Sequence, residues 1–225
     1  MATTREADQQ DQPPNRLTRR KQRTRAALIA AAQSFIAAGK LNVPVLEITQ
    51  AADVGMGSFY NHFDSKEELF AAAVNEVLDL HGARLDKLTE SMEDPAEQFA
   101  CSFRLTGRLF RHRPQESAVL LSNGLPLMSA DRGLAPRALR DIIAASKAGR
   151  FHVPDPELGL AIAGGSLLGL GQLLMAQPER DDAETSDRFT EDLLRLFGMS
   201  AKDARRLCQL PLPDIDELSE PESAA

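Results

Sequence analysis

The 225-residue chain predicts an all-α protein, with an N-terminal three-helix helix-turn-helix unit and a longer C-terminal helical region. Three observations predict it. Apolar residues between the two polar ends recur at helical spacing, with no convincing period-two run. The composition, rich in Ala and Leu with no Trp and a single Tyr, leans towards helix formers. The stretch ITQAADVGMGSFYNHFDSKEELF, residues 48–70, places a tight turn between two helix-like runs and then opens another helix. The length suits one large domain or two small ones.

Residues 1–16 are polar, with Pro13-Pro14, and are expected to be a disordered arm. The first helix follows in RLTRRKQRTRAALIAAAQSFIAAGK, with Leu28, Ala31, Ala32 and Phe35 at helical spacing and Gly39 as its stop. VLEITQAA is a short second helix with Val45, Ile48 and Ala52 on one face. Asp53 sits at the turn, where Asp tolerates a left-handed backbone better than most residues. MGSFYNHF is a third helix. Phe59 and Phe63, four apart, can pin it to the core, which leaves Gly55, Met56, Ser58, Tyr60, Asn61 and His62 near its outer face. Ser65 and Glu68 form a capping box for a fourth helix running to about Met92. Further helices are expected in PAEQFACSFRLTGRLFRHR, PQESAVLLSN, APRALRDIIAASKAG, PELGLAIAGGSLLGLGQLLMA, DAETSDRFTEDLLRLFG and SAKDARRLCQL. Pro95, Pro114, Pro136 and Pro156 fall where helices begin. Residues 211–225 read as an acidic, Pro-rich tail.

The net charge of −7 argues, taken alone, against a nucleic-acid partner. Its distribution argues the opposite. Arg16, Arg19, Arg20, Lys21, Arg23 and Arg25 follow one another without an acid. From Arg16 to Phe63 seven basic residues face only Glu47 and Asp53, a surplus of five, so the rest of the chain carries −12. A basic head on an acidic body is the asymmetry of a module that meets phosphate. Cys101 and Cys208 lie far apart without metal-ligand spacing, as reduced thiols of a cytoplasmic protein would. The first 15 residues carry no apolar signal segment, so none is expected.

Ile48-Thr-Gln-Ala-Ala52-Asp53-Val54-Gly55-Met56-Gly57-Ser58-Phe59-Tyr60-Asn61-His62-Phe63, followed by Lys66-Glu67-Glu68-Leu69, resembles the reading head of the TetR family of bacterial transcriptional regulators. The resemblance is specific over about residues 20–75; beyond that it extends to helical layout and to AGRFHVPDPELG. Asp53 stands in place of the family's turn Gly. Gly55 replaces a capping Ser, and Pro44 a capping Thr, so two of the family's phosphate contacts lack their side chain. The resemblance implies a DNA-binding domain at 17–75, a helical effector-binding and dimerisation domain at 76–210, and a homodimer on a palindromic double-stranded operator. It implies a repressor released by a small-molecule effector of unknown identity. The DNA-binding candidates are Arg19, Arg20, Arg23, Gly55, Met56, Gly57, Ser58, Tyr60, Asn61, His62 and Lys66. Tyr60, His62 and Lys66 suit phosphates, and Met56 and Ser58 suit base edges in a major groove about 12 Å wide. The run before helix 1 suits an arm on the backbone or minor groove.

The resemblance also implies an effector cavity among the middle helices, with Phe99, Phe103, Arg104, Phe110, Leu120, Asn123, Met128, Phe151 and Met175 as candidates. Residues 158–176 are long and apolar enough to suggest a membrane span. Asp155 and Glu157 precede this run, Gln172 interrupts it, and its small residues favour close helix packing, so an oligomer interface is expected and no membrane. The interface candidates are Gly165, Leu168, Gly169 and Gln172 with Phe189, Leu193, Leu196 and Phe197. His81, His112 and His152 stand alone, no nucleophile–base constellation appears, and the glycines near Gly164 follow no strand. Neither catalytic residue, metal nor cofactor is expected. Two other classes stay open at this level: an all-helical enzyme, and a protein-interaction module with a vestigial reading head.

Overall fold

The computed structural model describes residues 16–124 and 132–214. Its helices are α1 (Arg16–Ala37), α2 (Val45–Ala51), α3 (Met56–Tyr60), α4 (Lys66–Thr89), α5 (Pro95–His112), α6 (Pro114–Asn123), α7 (Leu134–Lys147), α8 (Pro156–Ala176), α9 (Asp182–Leu196) and α10 (Ala201–Gln209). No strand occurs among the described residues. The basic run from Arg16 onward is the exposed first part of α1, not an extended arm.

The N-terminal unit closes around Leu28, Ile36, Ile48, Phe59, Phe63, Leu69 and Val77, all but inaccessible to water. Phe59 and Phe63 sit with ring centroids 6.1 Å apart and anchor α3 as their spacing predicts. Truncating a ring so enclosed costs about 3–5 kcal/mol. Asp53 takes the turn with φ of 52°, and Gly39 ends the first helical segment with φ of 69°. Ser65 Oγ accepts from the Glu68 N–H at 3.1 Å, while the Glu68 carboxylate reaches past the cap to the Asp64 N–H at 2.6 Å. Pro44 occupies the N-cap position of α2 and Gly55 that of α3, and neither supplies a side-chain cap.

The C-terminal core gathers α5, α7, α8, α9 and α10 around Phe99, Phe151 and Phe197, whose centroids lie 5.3–5.7 Å apart. α8 turns Ala163, Leu170 and Leu174 into this core; Gly171 lies so close to Phe110 that a Cβ there would sit 2.7 Å from the ring. The opposite face of α8 leaves Leu158, Ile162 and Met175 in water. By length and composition α8 could cross a membrane; Asp155 caps it through two backbone N–H groups, and its Ala163, Leu170 and Leu174 are buried in the protomer core.

The two units share material. α6 packs on α1, and its Val119 and Leu120 belong to the N-terminal core. α4 runs without a break from the end of the helix-turn-helix into the C-terminal region.

Candidate functional site

α3 projects Met56, Gly57, Tyr60 and Asn61 into solvent, with Ser58 and His62 half-buried beside α1. Among the described residues nothing lies within 4 Å of where a Cβ would stand on Gly55 or Gly57, so the face is open for close approach. An open cleft between α1 and α3 is lined by Leu17, Arg20, Lys21, Thr24, Ser58, Asn61 and His62. Residues 17, 20, 21 and 24 form one helical stripe, so helix geometry brings Arg20 and Lys21 to the reading helix. Arg19 and Arg23 do not line this cleft. Lys21 and Arg25, which the sequence places in the basic run but does not single out as contacts, are further functional candidates. Arg25 lies over the Phe63 ring at 5.3 Å. Burial first, then the charges of Lys21 and Arg25, hold the His62 imidazole below its ordinary pKa. Cations crowding a neutral imidazole leave local positive potential, which suits a phosphate. Lys66 Nζ, at the start of α4, donates to Asn42 Oδ1 at 3.3 Å and stays at the surface.

The second feature is a pair of adjoining cavities of about 90 and 60 Å³ between α4, α5, α7 and α8. Phe99, Phe103, Thr106, Leu134, Ala138 and Leu167 wall both. Phe110 and Leu120 line the larger, as expected. Arg104, Asn123, Phe151 and Met175 line neither. Arg104 turns to the other side of α5, where Asp187 Oδ1 accepts from its Nε at 2.7 Å and the Leu207 and Leu210 carbonyls accept from Nη1. Asn123 donates to the Val119 carbonyl, Phe151 is spent in the C-terminal core, and Met175 faces water. Met128 lies outside the described residues. The smaller cavity holds charged groups no sequence argument selected: Asp86 on α4, and Arg137, Arg140 and Asp141 on α7.

On the outer face of α8, Gly165, Gly169 and Gln172 are exposed and Leu168 is half-buried. Of the four α9 candidates only Leu196 is exposed; Leu193 and Phe197 fill the protomer's own core, and Phe189 stacks on Phe103 with rings 7° from parallel.

A reading helix held by a buried aromatic pair beside a basic stripe, joined to a larger helical unit, defines a DNA-binding regulator. The chain belongs to the TetR family: residues 27–73 match the profile of bacterial regulatory proteins of the tetR family, and residues 94–209 that of the tetracyclin repressor-like C-terminal domain. It is similar to RolR in complex with the ligand resorcinol, at 32% identity over 88% of this chain and 98% of that one, with a TM-score of 0.63. RolR without ligand gives 32% identity, 84% and 98% coverage and a TM-score of 0.69. A tetR family regulator from Shewanella sp. PV-4 shares the fold at 15% identity, 77% and 97% coverage and a TM-score of 0.69. No curated protein matches the chain.

Proposed function

We propose that this regulator is a cytoplasmic homodimeric repressor, released from a palindromic operator by a small one-ring effector. One observation carries the release. Leu78 and Leu120 line the larger cavity and also belong to the core of the DNA-binding unit. A ligand seated there bears directly on the packing that orients α3. For that contact to switch the protein, the ligand must bind two arrangements with different affinity. The two cavities together are of the size that holds a benzene ring, about 150 Å³. The likeness to RolR, whose complex holds resorcinol, supports a ligand of that size.

The outer faces of α8 and α9, with Gly165, Gly169, Gln172 and Leu196, would pair two protomers as a four-helix interface. A dimer presents two reading helices to half-sites about 34–36 Å apart, one turn of B-DNA. Tyr60, His62, Lys66, Arg20 and Lys21 then hold phosphates, while Met56 and Ser58 meet base edges. The test is a shift assay with full-length chain and the DNA upstream of its own coding region. Binding is expected to weaken steeply with salt and to be undone by resorcinol. A chain that shifts no fragment at low salt refutes the reading.

A further inference from the structure

The smaller cavity ends in two carboxylates and two guanidiniums, Asp86, Arg137, Arg140 and Asp141. Arg137 Nε donates to Asp86 Oδ2 at 2.7 Å, and one Arg137 Nη donates to the Gly133 carbonyl at 2.8 Å. Both Nη groups of Arg140 lie 3.3 Å from Asp86 Oδ1, and Arg140 Nε donates to Asp141 Oδ1 at 2.9 Å. Asp141 is only 4% exposed, on the apolar stripe of α7 with Ala138, Ile142 and Ala145. A carboxylate in that position is held at a desolvation cost, and burial raises its pKa against the opposing pull of Arg140. Arg137 crosses α4 at Gly82, where a Cβ would fall 2.5 Å from a guanidinium nitrogen.

We infer that Asp86, Arg137, Arg140 and Asp141 are the polar end of the effector site, that they take a hydroxyl of an uncharged aromatic ring, and that their ion pairs tie α7 to α4. The inference rests on the effector reading above and deepens it. Charge selects the ligand class. Two carboxylates and two guanidiniums sum to zero, so a carboxylate ligand would bring an uncompensated charge, whereas a hydroxyl can donate to Asp141 and accept from an arginine. Shape agrees: Phe99, Phe103, Leu134 and Leu167 enclose a ring-sized apolar space directly beside these charges. Thr106 lines both halves. It donates to the Ser102 carbonyl at 2.8 Å, which leaves its remaining lone pair for the ligand after His81. The tie explains the response. Asp86 lies on α4, the helix that leaves the reading head, and its partners lie on α7. A ligand hydroxyl that competes for Arg137 or Arg140 loosens Asp86 and lets α4 move.

The experiment uses the full-length protein with resorcinol, phenol, benzoate and 1,3-dimethoxybenzene as probes. Thermal unfolding reads ligand binding without DNA, and anisotropy of a labelled operator reads release. Resorcinol and phenol are expected to raise Tm and to release the operator, while benzoate and the dimethoxy ether do neither at the same concentration. Asp141→Asn, with its helical signal retained, should need at least about tenfold more resorcinol for the same Tm shift, the loss of a hydrogen bond to a charged group. Asp86→Asn should weaken operator binding several-fold with no ligand present, because it cuts the tie. An ether as effective as resorcinol, or an Asp141→Asn protein as responsive as wild type, overturns the inference while leaving the repressor reading intact. Loss of operator binding by the wild type would instead strike the repressor reading, and the thermal shift would still decide the site.

Discussion

His81 lies wholly enclosed between α4 and α5. Thr106 Oγ1 spends its own proton on the Ser102 carbonyl, so the 3.0 Å contact from His81 Nε2 must be an N–H donation. The other nitrogen, Nδ1, is then a buried acceptor without a partner. Burial, followed by the charges of Arg84, Arg113 and Arg137, pushes the pKa down to about 3. An unfolded chain protonates the same group near 6.5, so between these values the unfolded state holds more protons. The contribution of His81 is therefore complete above pH 6.5 and is lost as pH falls towards 3, at about 1.4 kcal/mol per pH unit. Urea unfolding of wild type should lose about 2 kcal/mol more than His81→Gln between pH 7 and pH 5. Equal losses in the two proteins would show that His81 does not titrate on unfolding. The polar end of the cavity shows what the sequence concealed at this scale. Asp86 and Arg137 are 51 positions apart and meet only because α7 packs on α4. A local signal did exist: Asp141 falls on the apolar stripe of an amphipathic helix, where an acid is rarely buried without a partner. Arg104 misled for the converse reason. Its position on α5 made it a plausible cavity group, but its partner, Asp187, stands 83 residues away.

Elements were far more legible than contacts. α6 and α8 run where their Pro starts and apolar spacing predict, and the Ser65 cap of α4 forms. These signals are local, so no knowledge of packing was needed to read them. Which face of a helix turns inward is not local. The α9 stripe of Phe189, Leu193 and Phe197 looked like interface, yet α5 and α10 claim it for the protomer core and leave Leu196 outside. α8 keeps its proposed pairing face. Among the described residues, no neighbouring atom lies within 4 Å of a Cβ built on Gly165 or Gly169. Gly165→Leu should therefore leave the protomer fold undisturbed, and should favour the helix by up to about 1 kcal/mol. Only a partner helix can object to the added side chain. Light scattering is expected to report monomers for the mutant and dimers for the wild type, with operator affinity falling in step. A dimer that survives the substitution removes Gly165 from the interface.

Across the whole molecule the balance of charge decides how the protein meets DNA. A surplus of five positive charges near the N-terminus is carried by a body holding −12, so long-range attraction is weak and binding must come from close contacts. The structure sorts the basic residues of α1 by helix face. Arg20 and Lys21 border the cleft beside Ser58, Asn61 and His62, whereas Arg19 and Arg23 lie on other sides of the same helix. If each of Arg20 and Lys21 neutralises a phosphate, each releases about 0.9 of a counterion on binding. The double change Arg20→Ala/Lys21→Ala should then flatten the plot of log K against log salt by about two and weaken all DNA sequences alike. Lys66→Ala should flatten it by about one. Arg19→Ala/Arg23→Ala removes the same net charge from the same helix, and so controls for the general field. If the two double variants flatten the slope equally, α1 acts only as diffuse charge and the cleft holds no phosphate. If the first pair alone flattens it, the cleft is a contact, and the reading head extends beyond the helix-turn-helix to the first turns of α1.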